Sequence, residues 1–180
     1  MADRVVIDVS VAIPLVRTEA TSATVKARFR QWRTSGTVMV VPAQFWLEIT
    51  NVLLRRHRRP GSAVIAAVHQ LDELGFETAE TDRSMILVAL HLAERFVLTT
   101  YDAVYLALAE SLDAQLFTND RALLLAAGER GVGIGSDGRR LSETHASYGA
   151  RRPTWPDYRE LSGLLSKLRA DANSRPGRLG

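Results

Sequence analysis

The sequence predicts an α/β protein: a three-layer α/β/α sandwich around a central parallel sheet of four to five strands, followed by a basic C-terminal helical extension. Three observations carry this expectation. Short apolar, β-branched runs alternate with longer segments of helical periodicity, the rhythm of a parallel sheet covered on both faces. Proline and glycine punctuate the changes from one period to the other. A chain of 180 residues, 46% hydrophobic and 24% charged with a mean hydropathy of −0.04, is long and apolar enough to bury a core without cross-links.

The elements follow in order. Val5-Val6-Ile7 reads as a buried strand ending at Asp8, and Ser10 to Arg17, with Pro14, as a turn and short helix. Residues 23–34 are helical until Gly36 stops them, and Val38 to Pro42 is a second strand. Helical periodicity runs from Ala43 to about Arg58, where Pro60-Gly61 breaks it; Ser62 is then expected to cap a helix that reaches Leu74 and closes at Gly75. Phe76 to Ala79 is a weak third strand. Two helices, Ser84 to Phe96 and Tyr101 to Leu112, flank Val97-Leu98-Thr99-Thr100, and Ala114 to Thr118 is a fourth strand. Residues 121–130 read as a helix and Val132 to Gly135 as a short fifth strand. A boundary is expected after residue 148, leaving 149–180 as an extension with one amphipathic helix around Asp157–Ala170 and a disordered end.

Composition excludes several chemistries. The chain has no cysteine, which removes disulfides, thiolate nucleophiles and thiolate-ligated metals and suits a reducing cytosol. No apolar run approaches the roughly 18 residues of a membrane span, and Met1-Ala2-Asp3-Arg4 leads straight into a β-like run, so a cytoplasmic protein is expected. The net charge of +3 is uneven: residues 1–148 hold 16 basic against 17 acidic residues, and residues 149–180 hold 7 against 3. Within the body Arg55, Arg56, Arg58 and Arg59 crowd around His57, as a grip on RNA phosphates or as a solvated helix end matched to its dipole.

In a parallel α/β sheet, ligands collect beyond the carboxyl ends of the strands. Asp8 and Asp120 follow the first and fourth strands, and Asp102 stands in the first turn of a helix. Helix capping alone would explain Asp102 and Asp120. Glu48 is different: at 100° per residue it lies between Phe45 and Val52, at the flank of an apolar face where an unpaired carboxylate is costly unless it reaches solvent. Asn51, one turn on, can share its ligand. Four carboxylates gathered at one sheet edge need a cation, because like charges at close range otherwise force protonation. Oxygen-only donors select Mg²⁺ or Mn²⁺, a setting suited to phosphodiester hydrolysis.

Taken with their neighbours, these residues resemble a known family. Val5-Val6-Ile7-Asp8-Val9-Ser10, Trp46-Leu47-Glu48-Ile49-Thr50-Asn51-Val52-Leu53, the segment Thr100 to Ala109 around Tyr101-Asp102-Ala103, and Phe117-Thr118-Asn119-Asp120 look like the four signature segments of PIN-domain ribonucleases, in particular the VapC-type toxins. Order and spacing agree over roughly residues 4–135. The resemblance implies a Mg²⁺- or Mn²⁺-dependent endoribonuclease in which Asp8, Glu48, Asp102 and Asp120 are the catalytic, metal-holding residues, with Ser10, Thr118 and Asn119 orienting ligands or waters. It also implies a homodimer and a small antitoxin whose C-terminal peptide occupies the groove. The extension after about Ser147 has no counterpart in a compact toxin of this type.

Other patterns lead nowhere. Gly133 to Gly138 satisfies the dinucleotide fingerprint as a string, but it comes late and no helix with an acidic-ended strand follows. His57, His69, His91 and His145 lack metal spacing, Ser10 stands where a haloacid-dehalogenase phosphatase needs its second aspartate, and no serine-hydrolase elbow occurs. Two rivals to the toxin remain: an RNA-processing PIN protein, and a PIN-like module that binds RNA or protein without cutting.

Overall fold

The structure, a computed structural model, describes residues 3–135; the expected boundary at 148, the extension 149–180, His145 and the end of the Gly133–Gly138 string lie outside the described residues. The elements are β1 (Arg4–Ile7), α1 (Val9–Val16), α2 (Ser22–Ser35), β2 (Val38–Pro42), α3 (Phe45–Asn51), α4 (Gly61–Asp72), β3 (Glu77–Ala79), α5 (Arg83–Phe96), α6 (Thr100–Ser111), β4 (Gln115–Phe117), α7 (Arg121–Ala127) and β5 (Gly131–Val132). All five strands pair in parallel in the order β3-β2-β1-β4-β5. Val6 at the centre is in register with Val40 on one side and Leu116 on the other. The chain therefore starts in the middle, walks outward through β2 and β3, and returns to the far side of β1 with β4. This reversal opens a crevice at the carboxyl ends of β1 and β4, the place where open α/β sheets bind ligands.

The core explains why these runs form strands. Val5, Val6 and Ile7 are all buried, so β1 is covered on both faces. From β4, Phe117 packs edge-on against Trp32 of α2, with ring centroids 5.1 Å apart, and tilted against Phe29 of the same helix. Helix α6 is buried from Ala103 through Ala109, apolar all round as a helix at the centre of a fold must be. Among the described residues no single helix is long and apolar enough to cross a membrane.

The structure corrects the sequence expectations in two places that matter below. The segment expected as one helix from Ala43 to Arg58 is α3 followed by a π-helical turn, Val52–Arg56, in which the His57 N–H donates to the Val52 carbonyl five residues back. Such a turn accommodates an extra residue in a helix and recurs near functional sites. The cap of α4 is Pro60, not Ser62, which lies inside the helix: fixed φ and a free carbonyl let proline open it, and the Val64 N–H donates to that carbonyl at 3.1 Å.

Candidate active site

Asp8 is 5% exposed, one residue beyond β1. A carboxylate so buried needs donors, and two hydroxyls supply them. Ser10 Oγ donates to Asp8 Oδ2, and Thr118 Oγ1, from the end of β4, donates to the same oxygen at 2.7 Å. Each hydroxyl has one proton. Both protons are committed to Asp8, because Ser10 Oγ in turn accepts from the Asn119 N–H at 2.9 Å and Thr118 Oγ1 from the Asp120 N–H at 3.0 Å. The Asp8 N–H continues the sheet onto the Phe117 carbonyl at 3.1 Å. The topological crevice is thus laced shut at its base, and Asp8 is held at its mouth. Burial pushes the Asp8 carboxyl up, its hydrogen bonds to Ser10 and Thr118 pull it down, and the charge of Asp102 raises it further.

Glu48 comes from the first turn of α3, which follows β2, half-buried as its flank position requires. Tyr105, fully buried on α6, donates its phenol to Glu48 Oε2 at 2.8 Å. Burial raises Glu48, the Tyr105 bond lowers it, and Asp8 and Asp102 both raise it. Burial, and after it the charges of Glu48 and Asp8, push the Tyr105 phenol far above its ordinary range, so it remains a donor. Asp102 lies in the first turn of α6, where the helix dipole favours an anion. The Thr99 hydroxyl, which caps α6, donates to Asp102 Oδ2 at 2.7 Å and accepts the Asp102 N–H. Gln44 ties the two helix starts together, its amide donating to the Tyr101 carbonyl at 2.9 Å.

Asp8, Glu48 and Asp102 therefore share one electrostatic field. Asp120 is on the same rim but exposed, and its Oδ1 accepts from the Leu123 N–H at 2.8 Å as the cap of α7, the structural role that its position in sequence also allows. Of the orienting residues, Ser10 and Thr118 bind Asp8 directly and Asn119 joins through its backbone, whereas Asn51 is exposed at the end of α3. Arg55, Arg56 and Arg58 are exposed and Arg59 is half-buried, beyond α3. Sequence reasoning missed Tyr105, Thr99 and Gln44. Tyr105 reads as one more apolar position of α6; its spacing of three from Asp102, which puts both on one face, is the signal that marks it.

All the donors are oxygens, the set that suits a hard cation. Among the described residues no three Asp, Glu or His side chains are gathered closely enough to hold an ion unaided. Mg²⁺ does not require that: it keeps several waters and commonly uses one or two carboxylates together with substrate phosphate. Buried all-oxygen donors beside one another fit a cation: burial raises both Asp8 and Glu48, the charge of Asp102 raises each further and Asp8 raises Glu48, and a positive charge would relieve both effects.

Comparison with known proteins agrees with the geometry. No curated protein matches the chain. Among solved structures, PAE2754 from Pyrobaculum aerophilum is similar at 21% identity and a TM-score of 0.55, over 94% of this chain and 98% of that one. The Mycobacterium tuberculosis toxin VapC20, described as cleaving the sarcin–ricin loop, is similar at 19% identity and a TM-score of 0.56, over 68% of this chain and 94% of that one. A toxin–antitoxin complex from Klebsiella pneumoniae is similar at 16% identity and a TM-score of 0.54, over 72% and 97%. At these identities the likeness is one of fold. The family model for the PIN domain matches residues 5–129, from the first strand through the 3-10 turn after α7, and with the carboxylates at the crevice in place the chain belongs to the PIN-domain family.

Proposed function

We propose that this protein is a metal-dependent endoribonuclease of the cytoplasm and the toxin of a toxin–antitoxin pair, acting as a homodimer and neutralised by a small antitoxin. The observation that carries the reading is that Asp8, Glu48 and Asp102 lie within electrostatic reach of one another at the carboxyl edge of the sheet, Asp8 held by two hydroxyl donors and Glu48 and Asp102 by one each. Asp8 and Glu48 would hold Mg²⁺ or Mn²⁺, with Asp102 and Asp120 completing the acidic rim. When bound, the ion lowers the pKa of a water and stabilises the leaving oxygen of a phosphodiester. The chain's own part is to position. Ser10 and Thr118 fix the rotamer of Asp8, Tyr105 fixes Glu48, and Thr99 holds Asp102 at the helix start.

One observation favours a second reading, a PIN-like module that does not cut: the carboxylates are not closed into a cage. Against it, a surface that merely binds RNA gains nothing from clustered negative charge. Calorimetric titration of Mn²⁺ into the wild type and Asp8→Asn, beside cleavage of a mixed RNA pool, separates the two. The ribonuclease reading expects cleavage and Mn²⁺ binding by the wild type and neither by Asp8→Asn, whose thermal stability stays equal or rises because a repelling charge has gone. RNA binding by the wild type without cleavage in saturating Mn²⁺ selects the non-cutting module.

A further inference from the structure

We infer that the end of α1 and the π-helical turn after α3 form a phosphate clamp, Arg17 with Arg55, Arg56, Arg58 and Arg59, that holds single-stranded RNA about two to four nucleotides from the bond that is cut. The inference rests on the ribonuclease reading for the position of the cut, and on the arginines themselves for the clamp.

Two separate elements bring these residues together. Helix α1 leaves the carboxyl edge at Asp8 and ends with Arg17 as its C-cap, nine residues on. Helix α3 and its π turn lead from Glu48 to Arg56, eight residues on. At 1.5 Å per residue both paths carry the chain about 12–14 Å from the carboxylates. Helices α1 and α3 pack against each other, which brings the two ends to the same side of the fold. His57, whose charged form is disfavoured first by burial, is disfavoured next by Arg17 and then by Arg56 and Arg59, with Glu19 opposing.

The positive charge there is largely unspent. Among the described residues the ion pairs are Arg17–Glu19 at 2.8 Å and Arg130–Asp113, and Arg55, Arg56, Arg58 and Arg59 take part in neither. Arg17 keeps donors beyond the one given to Glu19, since a guanidinium has five. The backbone is shaped to crowd these residues. The π turn ends the helix, Arg58 sits in the left-handed region at φ 48°, and the Arg59 N–H turns back to the Leu53 carbonyl at 3.0 Å. This left-handed close turns Arg58 and Arg59 back beside the end of the π turn.

The distance decides what the clamp can do. Carboxylates at the crevice repel a polyanion, so RNA needs cations nearby that the carboxylates do not quench. A gap of about 12–14 Å exceeds the Debye length of about 8 Å at physiological salt, which leaves the arginines with their field. A strand spans that gap in about four nucleotides at a stacked rise of 3.4 Å, and in about two when extended. An acidic protein segment offers charges without that fixed tether to the cutting site, and RNA is the occupant that the two-point geometry fits.

The test uses the full chain and a short single-stranded RNA cut once by the wild type. Binding is read against salt for the wild type, Arg17→Gln and the double variant Arg55→Gln/Arg58→Gln, with Arg17→Lys as the charge-keeping control. The log–log slope is expected to flatten by about 0.7 for each arginine lost, hence by about 1.4 in the double variant, and to hold in Arg17→Lys. A neutral methylphosphonate at phosphates two to four nucleotides from the cut, on one side, is expected to weaken wild-type binding several-fold and to add nothing in the double variant. An unchanged slope overturns the clamp, as does equal sensitivity at every phosphate. Loss of antitoxin binding with RNA binding intact overturns it in favour of a protein contact. If the wild type cuts no RNA but the slopes flatten as stated, the ribonuclease reading fails and the clamp stands as an RNA-binding surface.

Discussion

Thr118 is fully buried, and its single hydroxyl joins three residues: it donates to Asp8 and accepts from the Asp120 N–H. Thr118→Val keeps the shape and deletes both bonds. We expect it to lower unfolding free energy by about 1–3 kcal/mol and cleavage by about 10–100-fold, with Thr118→Ser restoring most of both; denaturant unfolding and RNA cleavage measure the two. Equal activity in Thr118→Val would remove the hydroxyl from the positioning of Asp8. Tyr105→Phe isolates the Glu48 bond and should cost cleavage a similar factor. The raised carboxyls also set a pH dependence. Asp8 and Glu48 have ordinary values of 3.8 and 4.5 and are raised in the folded chain, so folding takes up protons. The stabilisation is whole below those ordinary values and is lost as pH rises through the raised ones. In chelator, the thermal midpoint should therefore fall as pH rises above those ordinary values, and Asp8→Asn should flatten that fall. A divalent cation that binds only the folded state should restore the midpoint at neutral pH.

At the scale of elements, the helix ends separate the parts of the fold that follow local rules from the part that does not. Asp82 accepts the Met85 N–H at 2.8 Å as the cap of α5, and Gly36 closes α2 at φ 71°, a left-handed position that glycine takes without strain. Val97 breaks the pattern: it closes α5 at φ 56° and is 89% exposed. A β-branched residue there pays about 1–2 kcal/mol of backbone strain, while glycine would add about 0.5–1 kcal/mol of unfolded-state entropy. Val97→Gly should stabilise the protein by about 0.5–1 kcal/mol, seen as a higher thermal midpoint, and leave cleavage unchanged. A lower midpoint would mean that the entropy cost of glycine exceeds the strain it relieves.

For the whole molecule, the described residues 3–135 build one parallel sheet with the buried helix α6 and the helix α2 packed on it and the carboxylates at the crevice. The extension from 149 carries Trp155, Tyr158, Leu161, Leu164, Leu165 and Leu168 at three- and four-residue steps, an apolar stripe flanked by basic residues. We propose that this spacing makes a helix, which at that length is marginal alone in water and seeks a protein groove in preference to a nucleic acid. We expect the chain truncated after Tyr148 to fold and to cut a short RNA at the full rate, but to differ in oligomeric mass by light scattering or in antitoxin affinity by calorimetry. Loss of RNA binding alone would make the extension a nucleic-acid arm.

Periodicity and punctuation in the sequence determined the α/β alternation, the parallel sheet and the strand ends on which Asp8 and Asp120 follow, because burial on both faces and the conformational limits of proline and glycine act locally. The flank position of Glu48 was equally legible, since helical spacing alone puts it beside Phe45 and Val52. Tertiary structure decided the rest. Tyr105 differs from its apolar neighbours on α6 only once Glu48, 57 residues away, is brought to its hydroxyl. The two protons on Asp8 come from residues 2 and 110 positions distant, which meet because the strand order reverses between β1 and β4. The change from α- to π-helical hydrogen bonding at Val52 and the packing of α1 on α3 were likewise invisible, for a π turn has no local signature and two helices meet only when the sheet beneath them sets their spacing.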